Sequence, residues 1–458
     1  NKGLTGSFNG VKAVTREEAC LYALNTLKAT MVEYTTQTIV VNNGNVSADK
    51  VAKKILQDES GYADTMGDKK TLQFVRDHAG DDVRQLALMG SKHPEVDMPW
   101  ALDQIRGRQM AAAKLPLLAR IEGIRYPVHL SMEQCSSQTA AHYKLRVARR
   151  LIAEGDRASM TDLTGGFGID FLALSTTFRS ATYVERNEEL CALMRHNLSV
   201  LGRTATVMCT EAEQALDAIA PQTLIYIDPA RRDAAGGRTY AIADCTPDVL
   251  GLAPTLCAKG RWVMVKLSPM LDWHEAVRAL GCVSEVHIVS VGGECKELLL
   301  VCSAESKGMP TVYCVNDRQV CVFTPDDSQP RYLDTPAGEE MYLYEPNASV
   351  MKSGLMAQVC QRYQTRMIAP NSNLFIGSEA IARFPGRGFR ITATTTLNRK
   401  QLRRALNGID RANITVRNMP LSAVQLRQRL RLKDGGATYI FGTTQRDGSH
   451  ILLVCEKI

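Results

Sequence analysis

A glycine-rich stretch between an apolar strand pattern and a helical pattern has the residue types and spacing best suited to chemistry. It runs Asp162-Leu-Thr-Gly-Gly-Phe-Gly168. Glycines at such a turn let the backbone approach a ligand closely, and the N-terminus of the following helix presents free N–H groups. In an open α/β sheet this arrangement builds a nucleotide site at the carboxyl end of the first strand. The spacing is Asp-x-x-x-Gly-x-Gly; the dinucleotide pattern fails because its third glycine would fall on Phe171.

The carboxyl ends of the next predicted strands also carry polar side chains. Glu185 ends the second strand, where an acid accepts hydrogen bonds from ribose hydroxyls in dehydrogenases and methyltransferases alike. Glu211 follows the third strand, Asp228-Pro229 follows the fourth, and Lys266 lies at the end of the fifth. Since parallel strands end at the same edge of a sheet, these side chains are predicted to share one site.

These residues together resemble the class I S-adenosylmethionine-dependent methyltransferases. The glycine-rich stretch is similar to their first motif, with Thr164 where glycine is usual, and Asp228-Pro229 is similar to the start of their fourth. Tyr344-Glu-Pro-Asn-Ala-Ser349 and Phe384-Pro-Gly-Arg387 narrow the resemblance, which covers residues 71–458. It is to a bacterial subfamily that couples the methyltransferase domain to a ferredoxin-like segment and a C-terminal THUMP-like domain.

The resemblance implies an α/β fold with a Rossmann-like class I methyltransferase sheet of seven strands, the last hairpin antiparallel. An N-terminal helical region and a C-terminal α+β THUMP-like module complete it. The predicted boundaries are an appendage of unknown role (1–69), the helical region (70–157), the methyltransferase domain (158–303), the ferredoxin-like segment and linker (304–380) and the basic THUMP-like domain (381–458). Strands at 285–291 and 297–302 are predicted to form the closing hairpin, and strands at 311–315 and 319–323 to belong to the small αβ module.

The resemblance implies S-adenosyl-L-methionine as the cofactor, with Asp162 and the glycine loop at its methionine end, Glu185 at the ribose and Glu211 near the adenine. The predicted cofactor-binding residues are Asp162, Thr164, Gly165, Gly166, Phe167, Gly168, Glu185, Arg186, Glu211 and Asp228. No metal site is predicted.

Methyl transfer requires alignment of nucleophile, methyl carbon and sulfur, and often removal of a proton. The predicted catalytic residues are Asp228, Pro229, Arg231 and Lys266. Amine-directed nucleic-acid methyltransferases usually follow Asp-Pro with proline and a stacking aromatic, but Ala230 and Arg231 stand here, which puts N-methylation of a base in doubt.

Some of these residues keep a second interpretation. Arg231 and Arg232 suit a phosphate or carboxylate ligand, or equally a surface salt bridge, and Lys266 is either a pocket residue or an ordinary lysine with a buried stem. Cys245 is a candidate for cysteine-dependent C5 methylation, although nothing beside it in the sequence marks a reactive thiol.

The net charge of +7 is concentrated near the C-terminus, where residues 383–433 contain eleven arginines and two lysines against one acid, Asp410. Basic residues at helical spacing interleave with leucines, so one face can pack while the other neutralises phosphates. The predicted RNA-binding residues are Arg387, Arg399, Lys400, Arg403, Arg404, Arg427, Arg429 and Arg431. The basic residues Lys144, Arg146, Arg149 and Arg150 of an earlier helix are interpreted as a solvated face or a second RNA contact.

Composition describes an ordinary globular protein of 458 residues, 45% hydrophobic, without a membrane-spanning run or a signal-peptide pattern. Its thirteen cysteines include no Cys-x-x-Cys pair, which favours reduced thiols in the cytoplasm. The sequence therefore predicts a cytoplasmic methyltransferase acting on RNA, such as tRNA or rRNA. Two alternatives stay open: methylation of a small molecule or protein, and RNA binding by a protein with a decayed catalytic centre.

Overall fold

A computed structural model describes residues 40–42, 45–47, 69–231 and 242–458 of the chain. The sequence from Thr38 to Asn45 predicts a strand and a turn, and the strand agrees with β1 (Val40–Asn42), which pairs antiparallel with β2 (Asn45–Ser47). A capping signal with helical spacing predicts a helix from residue 14 onward, and Gly236-Gly237 predicts a loop; both segments lie outside the described residues.

Residues 69–151 contain five α-helices, within the region that the sequence predicts to be helical. The helices are α1 (Lys69–Asp77), α2 (Val83–Ala87), α3 (Met98–Lys114), α4 (His129–Gln134) and α5 (Gln138–Leu151). The first three share a small core that includes Phe74, Leu86 and Ile105. Ser137 caps helix α5, since its side chain accepts from Ala140 N, and the helix packs its apolar face on the sheet that follows.

The central layer is a nine-stranded sheet. Its strands are β3 (Ser159–Asp162), β4 (Ser180–Glu185), β5 (Thr206–Cys209), β6 (Gln222–Ile227), β9 (Gly260–Leu267), β10 (Val283–Val291), β11 (Glu294–Cys302), β12 (Thr311–Asn316) and β13 (Gln319–Phe323). Between β6 and β9, β7 (Ala230–Arg231) pairs with β8 (Cys245–Thr246). The spatial order is β13-β12-β10-β11-β9-β6-β3-β4-β5.

The strand order places a ligand crevice between β3 and β6. From β3 the chain proceeds to β4 and β5 on one side, then crosses to β6 and β9 on the other, and all these neighbours are parallel. Such a reversal opens a crevice at the carboxyl ends of the strands. Helices α6 (Ile169–Leu174), α7 (Glu188–Val200), α8 (Ala212–Ala218), α9 (Val249–Lys259) and α10 (Trp273–Leu280) belong to this domain.

Alternate residues of the central strands enter two different cores, which explains their continuous apolar sequences. On β6, Ile225 and Ile227 belong to one core, and Leu224 and Tyr226 to the other. A sheet covered on both faces requires such strands. The predicted antiparallel hairpin is confirmed, because β10 pairs antiparallel with β11 and β11 antiparallel with β9.

The assignment of the next two strands to the small αβ module is wrong. β12 pairs in parallel with β10, and β13 pairs antiparallel with β12, so both extend the methyltransferase sheet from seven strands to nine. The side chains explain this placement: Val312 and Cys314 enter one core while Val315 enters the other. A strand apolar on both faces is stable only where both are covered.

A second sheet of seven strands forms the C-terminal part. Its strands are β14 (Tyr342–Pro346), β15 (Arg366–Met367), β16 (Phe375–Gly377), β17 (Gly386–Thr395), β18 (Asn413–Val416), β19 (Thr438–Thr444) and β20 (His450–Lys457), in the order β15-β16-β14-β17-β20-β19-β18. Its helices are α11 (Ala348–Ser353), α12 (Met356–Tyr363), α13 (Arg399–Ala405) and α14 (Ala423–Leu430). The sequence near 352–363 predicts a single helix, but the chain forms these two, divided at Gly354, which has a φ of 71°.

The two sheets share one continuous apolar core. Tyr344, Val350 and Phe375 of the second part pack in the same cluster as the methyltransferase strands. The indole N–H of Trp273 in α10 donates to the carbonyl oxygen of Ser353 over 3.2 Å. A cut after residue 303 would therefore remove β12 and β13 and expose buried surface. None of the helices in the described part of the chain combines the length and apolarity that a bilayer crossing requires.

Candidate functional site

A cavity of about 830 Å³ lies at the carboxyl ends of β3, β4, β6 and β9. This volume is within the range of roughly 300–1,000 Å³ usual for small-molecule and cofactor sites. The cavity wall includes every predicted cofactor-binding residue, together with the predicted catalytic residues Pro229 and Lys266. The backbone of Arg231 forms part of β7, but its side chain and Arg232 lie outside the described residues.

The three positions of the loop require glycine for different structural reasons. A Cβ at Gly165 would lie 2.1 Å from the ring of Tyr183, and one at Gly168, where φ is 81°, would lie 1.9 Å from the methyl carbon of Met194. Gly166 has a φ of 54° and meets nothing closer than 3.9 Å, so it faces open space. Two glycines are thus required by packing, and the middle one leaves a smooth backbone surface toward the cavity.

Thr164 connects the glycine loop to Asp228, which directly follows β6. Its hydroxyl oxygen accepts a hydrogen bond of 2.6 Å from the backbone N–H of Asp228. A glycine at this position would have no acceptor to offer. The departure from the usual first motif therefore has a structural function: it fixes the start of the fourth motif relative to the first.

Asp162 is a buried carboxylate without a described cationic partner. It is 1% exposed, and its Oδ1 accepts one hydrogen bond of 3.0 Å, from the backbone N–H of Thr164. Burial raises the pKa of Asp162 well above its ordinary value, and the nearby carboxylates of Asp170, Asp228 and Glu185 add to this increase. A ligand carrying an ammonium group would supply the missing counter-charge. The α-ammonium of a methionine moiety fits this requirement.

The acid of the second strand is already oriented by backbone donors. Glu185 Oε2 accepts from Gly166 N and Oε1 from Asn187 N, both over 2.9 Å. Each oxygen keeps a second lone pair for a ligand hydroxyl. Beside it, Arg186 and Glu211 form an exposed ion pair of 3.8 Å at the rim of the cavity.

Asp228 and Lys266 form an ion pair between the ends of β6 and β9. The ammonium of Lys266 donates to Asp228 Oδ2. Burial opposes the charge on Lys266, but the carboxylates of Asp228, Asp170 and Glu297 outweigh it and raise the lysine pKa above its ordinary value. Lys266 is therefore an ammonium at neutral pH, and it lies in the cavity wall, as the first of its two interpretations expects.

A buried charge network behind this pair was not predicted from the sequence. Lys144 of α5 is fully buried, and its ammonium donates to Asp170 Oδ1 at 3.0 Å, Glu297 Oε2 at 2.7 Å and Ser136 Oγ at 3.0 Å. Tyr226 and Ser136 each donate a hydroxyl to Asp170 Oδ2 at 2.7 Å. Neither a solvated face nor an RNA contact is therefore correct for Lys144. The sequence offered one indication of this network: Asp170, three residues after Phe167, is an acid at the start of the helix that follows the glycine loop.

The charges in this network are unequal. Burial opposes ionisation of Asp170, but Lys144, Lys266 and the two hydroxyls hold its pKa below the ordinary value. Burial raises the pKa of Glu297, and its Oε1 has no hydrogen-bond partner among the described residues. Asp170 is therefore the principal counter-ion of Lys144.

The remaining candidates for chemistry are placed differently. Cys245 is buried in β8 and lines the cavity, so its role stays a prediction. His287 is buried between Tyr143, whose hydroxyl lies 2.7 Å from its Nδ1, and Glu285, 3.0 Å from its Nε2. Burial lowers the pKa of His287, and this residue is not part of the cavity wall.

The basic C-terminal residues divide into exposed and ion-paired groups. Arg399, Lys400, Arg403 and Arg404 are exposed on α13, whose Leu402 packs on the sheet core, while Arg429 and Arg431 are exposed at the end of α14. Arg387 is held by the buried carboxylate of Glu345, which also binds Arg417, and Arg427 is paired with Asp434. The helix α13 therefore carries the most accessible cations of the predicted set.

Comparison with known proteins identifies two family models and similar structures. A THUMP domain-like family matches residues 386–457, and a ferredoxin-like domain matches residues 342–385. A protein from Porphyromonas gingivalis W83 classed as a methyltransferase is 31% identical with a TM-score of 0.74, over 86% of this chain and 99% of that one. No curated protein matches the sequence.

Two further structures match over smaller parts. A protein from Listeria monocytogenes classed as a class I S-adenosylmethionine-dependent methyltransferase has a TM-score of 0.34 at 8% identity, over 53% of this chain and 91% of that one. A 16S rRNA methyltransferase from T. thermophilus has a TM-score of 0.28 at 14% identity, over 36% of this chain and 42% of that one.

Proposed function

Because the chain belongs to the family of class I S-adenosylmethionine-dependent methyltransferases that carry ferredoxin-like and THUMP-like domains, we propose that it methylates RNA. The observation that carries the proposal is the exposed basic face of α13, within the THUMP-like domain of the same chain as the cavity. Such a face recognises phosphates without reading bases.

The residues of the cavity fit S-adenosylmethionine as cofactor. We assign the ammonium of the cofactor to Asp162 and its ribose hydroxyls to Glu185. Its carboxylate and sulfur lie along the glycine loop at Gly166, and its adenine lies near Glu211. The cofactor supplies an electrophilic methyl group on a sulfonium. The protein supplies orientation and a counter-charge, since the buried Asp162 has no described cation of its own.

The arrangement weighs against a decayed catalytic centre. Thr164, which stands where glycine is usual, accepts a hydrogen bond from the backbone of Asp228, and the side chain of Asp228 is paired with Lys266. The unusual residue therefore helps to keep the site ordered. An inactive RNA-binding protein would have no need of a buried acid that is costly to charge.

The first prediction concerns protons released on cofactor binding. Because the pKa of Asp162 is raised in the free protein and an ammonium beside it lowers that pKa, binding releases a proton, and affinity rises as the pH increases above the ordinary aspartate value of 3.8. Calorimetry in buffers of different ionisation enthalpy measures the release.

Asp162→Asn is the matched variant, since its amide oxygen still accepts from Thr164 N. It should abolish the proton release and weaken binding about tenfold or more, because a hydrogen bond to a charged group contributes roughly 1.5–3 kcal/mol. Binding by wild type without any proton exchange in this pH range would remove Asp162 as the ammonium ligand.

The second prediction tests α13 as the RNA-binding face. Arg403→Gln with Arg404→Gln should weaken binding to total bacterial RNA. The slope of log affinity against log salt should fall by about 0.7–0.9 for each phosphate that the variant no longer neutralises. Affinity for S-adenosylmethionine should not change. Fluorescence anisotropy over a salt series, and transfer of a labelled methyl group to RNA from cells lacking the gene, measure the two effects.

A control variant is available on the second sheet, in the same C-terminal part of the chain as α13. Arg366 and Arg390 are also half-exposed, but they are engaged by Asp334 and Glu456. Arg366→Gln with Arg390→Gln removes the same charge and should change RNA binding much less. Equal losses in the two variants would mean that net charge alone, and not the face of α13, attracts the RNA.

A further inference from the structure

The target end of the cavity offers no aromatic surface to a nucleobase among the described residues. The only rings in its described wall are those of Phe167 and Tyr226, which are 3% and 1% exposed. The Tyr226 hydroxyl is also committed, since it donates to Asp170. A base that is turned out of its stack is normally held between aromatic or apolar side chains. The described wall therefore supplies no exposed ring on which a base could stack.

At the expected position of the methyl group, the protein presents one hydrogen-bond acceptor and one cationic donor side by side. Lys266 donates to Asp228 Oδ2, and no described group donates to Asp228 Oδ1. The Asp228 side chain is 33% exposed and the Lys266 side chain 14% exposed, so both reach the cavity. A hydroxyl, which both donates and accepts, is complementary to this pair.

The fixed positive charge discriminates between nucleophiles. An amine becomes cationic as it gains a methyl group, and an adjacent ammonium opposes that charge. A hydroxyl instead loses its proton as the new bond forms. The carboxylate of Asp228 can accept that proton, and the Lys266 ammonium stabilises the negative charge developing on oxygen. Behind Lys266, the ammonium of Lys144 donates to both Asp170 and Glu297, so two lysines face three acids in the whole cluster.

On these grounds, and resting on the proposed methylation of RNA, we propose that the methylated atom is the 2′-oxygen of a ribose. In the step, a bond forms between the ribose oxygen and the methyl carbon while the bond from that carbon to sulfur breaks, its electron pair staying on sulfur. The hydroxyl proton passes to Asp228 Oδ1 and then to solvent. The products are the 2′-O-methyl ether and S-adenosylhomocysteine.

The test is the chemical identity of the labelled product. Total RNA from cells lacking the gene is methylated by the full chain with labelled S-adenosylmethionine and divided. One half is hydrolysed in alkali, which leaves a linkage next to a 2′-O-methyl group intact as a dinucleotide. The other half is digested to nucleosides for mass spectrometry. We expect label in alkali-resistant dinucleotides and a methyl group on the sugar fragment.

The other outcomes are distinguishable. Label on a base fragment overturns the ribose assignment and leaves RNA methylation standing. No label in RNA, with cofactor binding intact by calorimetry, overturns the proposed function and the ribose assignment with it. After mapping, an oligonucleotide with 2′-deoxyribose at the modified position should accept no methyl group; methylation of that oligonucleotide would also overturn the ribose assignment.

A readout independent of turnover tests the ion pair itself. The ε-carbon resonance of Lys266, observed by ¹³C NMR and assigned through Lys266→Arg, should titrate at a lower pH in Asp228→Asn than in wild type. An unchanged titration would mean that the two groups are not paired in solution and would remove the basis of the assignment.

Discussion

Asp228→Asn is expected to lower kcat for methyl transfer about 10²–10⁴-fold, the usual contribution of a positioned general base. Asparagine keeps the shape of the side chain and leaves the backbone N–H of Asp228 bonded to Thr164. Cofactor affinity should therefore remain, and the loss should appear in kcat. Single-turnover transfer of labelled methyl to RNA, with calorimetry of cofactor binding beside it, measures both quantities.

Lys266 variants separate charge from shape. Lys266→Met removes the cation and should also lower kcat, whereas Lys266→Arg keeps the charge and should recover part of the rate. Arg261→Met is the control, because Arg261 lies at the opposite end of β9 in an exposed pair with Asp156. It should leave the rate unchanged. A wild-type rate in Asp228→Asn would exclude the carboxylate as the proton acceptor.

The pH dependence follows from the raised pKa of Lys266. In wild type the lysine stays charged through neutral and mildly alkaline pH, so the rate should not fall there through its deprotonation. Asp228→Asn removes the first of the carboxylates that raise this pKa, while burial continues to lower it. The alkaline fall in the residual rate should then move to lower pH. The pH–rate profiles of the two proteins provide the comparison.

Local patterns were sufficient to predict which residues gather along one wall of the cavity. The loop from Asp162 to Gly168 and the acid Glu185 each follow a strand directly, and parallel strands bring their carboxyl ends together. The spacing of the motif also identifies Gly166, which faces the cavity. What it does not show is that Gly165 and Gly168 are fixed by contact with Tyr183 and Met194.

Contacts between residues that are far apart in the chain could not be predicted from the sequence. Lys144 and Glu297 are 153 residues apart and share one buried hydrogen bond, yet on a helical pattern Lys144 resembles any solvated lysine. The strands β12 and β13 were placed in the wrong unit because their apolar pattern fits any covered sheet, and only packing decides which one. The sequence likewise gives no sign that Arg387 is paired with the buried carboxylate of Glu345.

Replacing the buried lysine, as Lys144→Met, is expected to destabilise the protein by about 3–5 kcal/mol, the usual cost of removing one partner from a buried ion pair. Methionine fills similar volume, so the loss is electrostatic: Asp170 and Glu297 remain buried without the ammonium between them. Urea denaturation followed by far-ultraviolet circular dichroism measures it. Arg146→Met on the same helix is the control, since Arg146 is not buried. A similar urea midpoint for the two variants would contradict the prediction.

The destabilisation caused by Lys144→Met should become smaller as the pH falls. Asp170 has a lowered pKa in the folded wild type, so it contributes stability above its ordinary value of 3.8, and this contribution is lost as pH falls. Without Lys144 burial raises the pKa of Asp170, so the variant gains relative stability on acidification. The difference between the two urea midpoints should therefore narrow from pH 7 toward pH 4.

Two neutralising substitutions then identify which carboxylate balances the lysine. Asp170→Asn removes the charged acceptor of Lys144 and of two hydroxyls, and should cost nearly as much as Lys144→Met. Glu297→Gln should cost clearly less, because burial already raises its pKa and one of its oxygens has no described partner. Glu297→Gln combined with Lys144→Met should recover part of the lost stability, since it removes one of the two carboxylates left without a cation. If Glu297→Gln is the costlier single variant, Glu297 and not Asp170 is the counter-ion, and the charge balance behind Lys266 runs through β11.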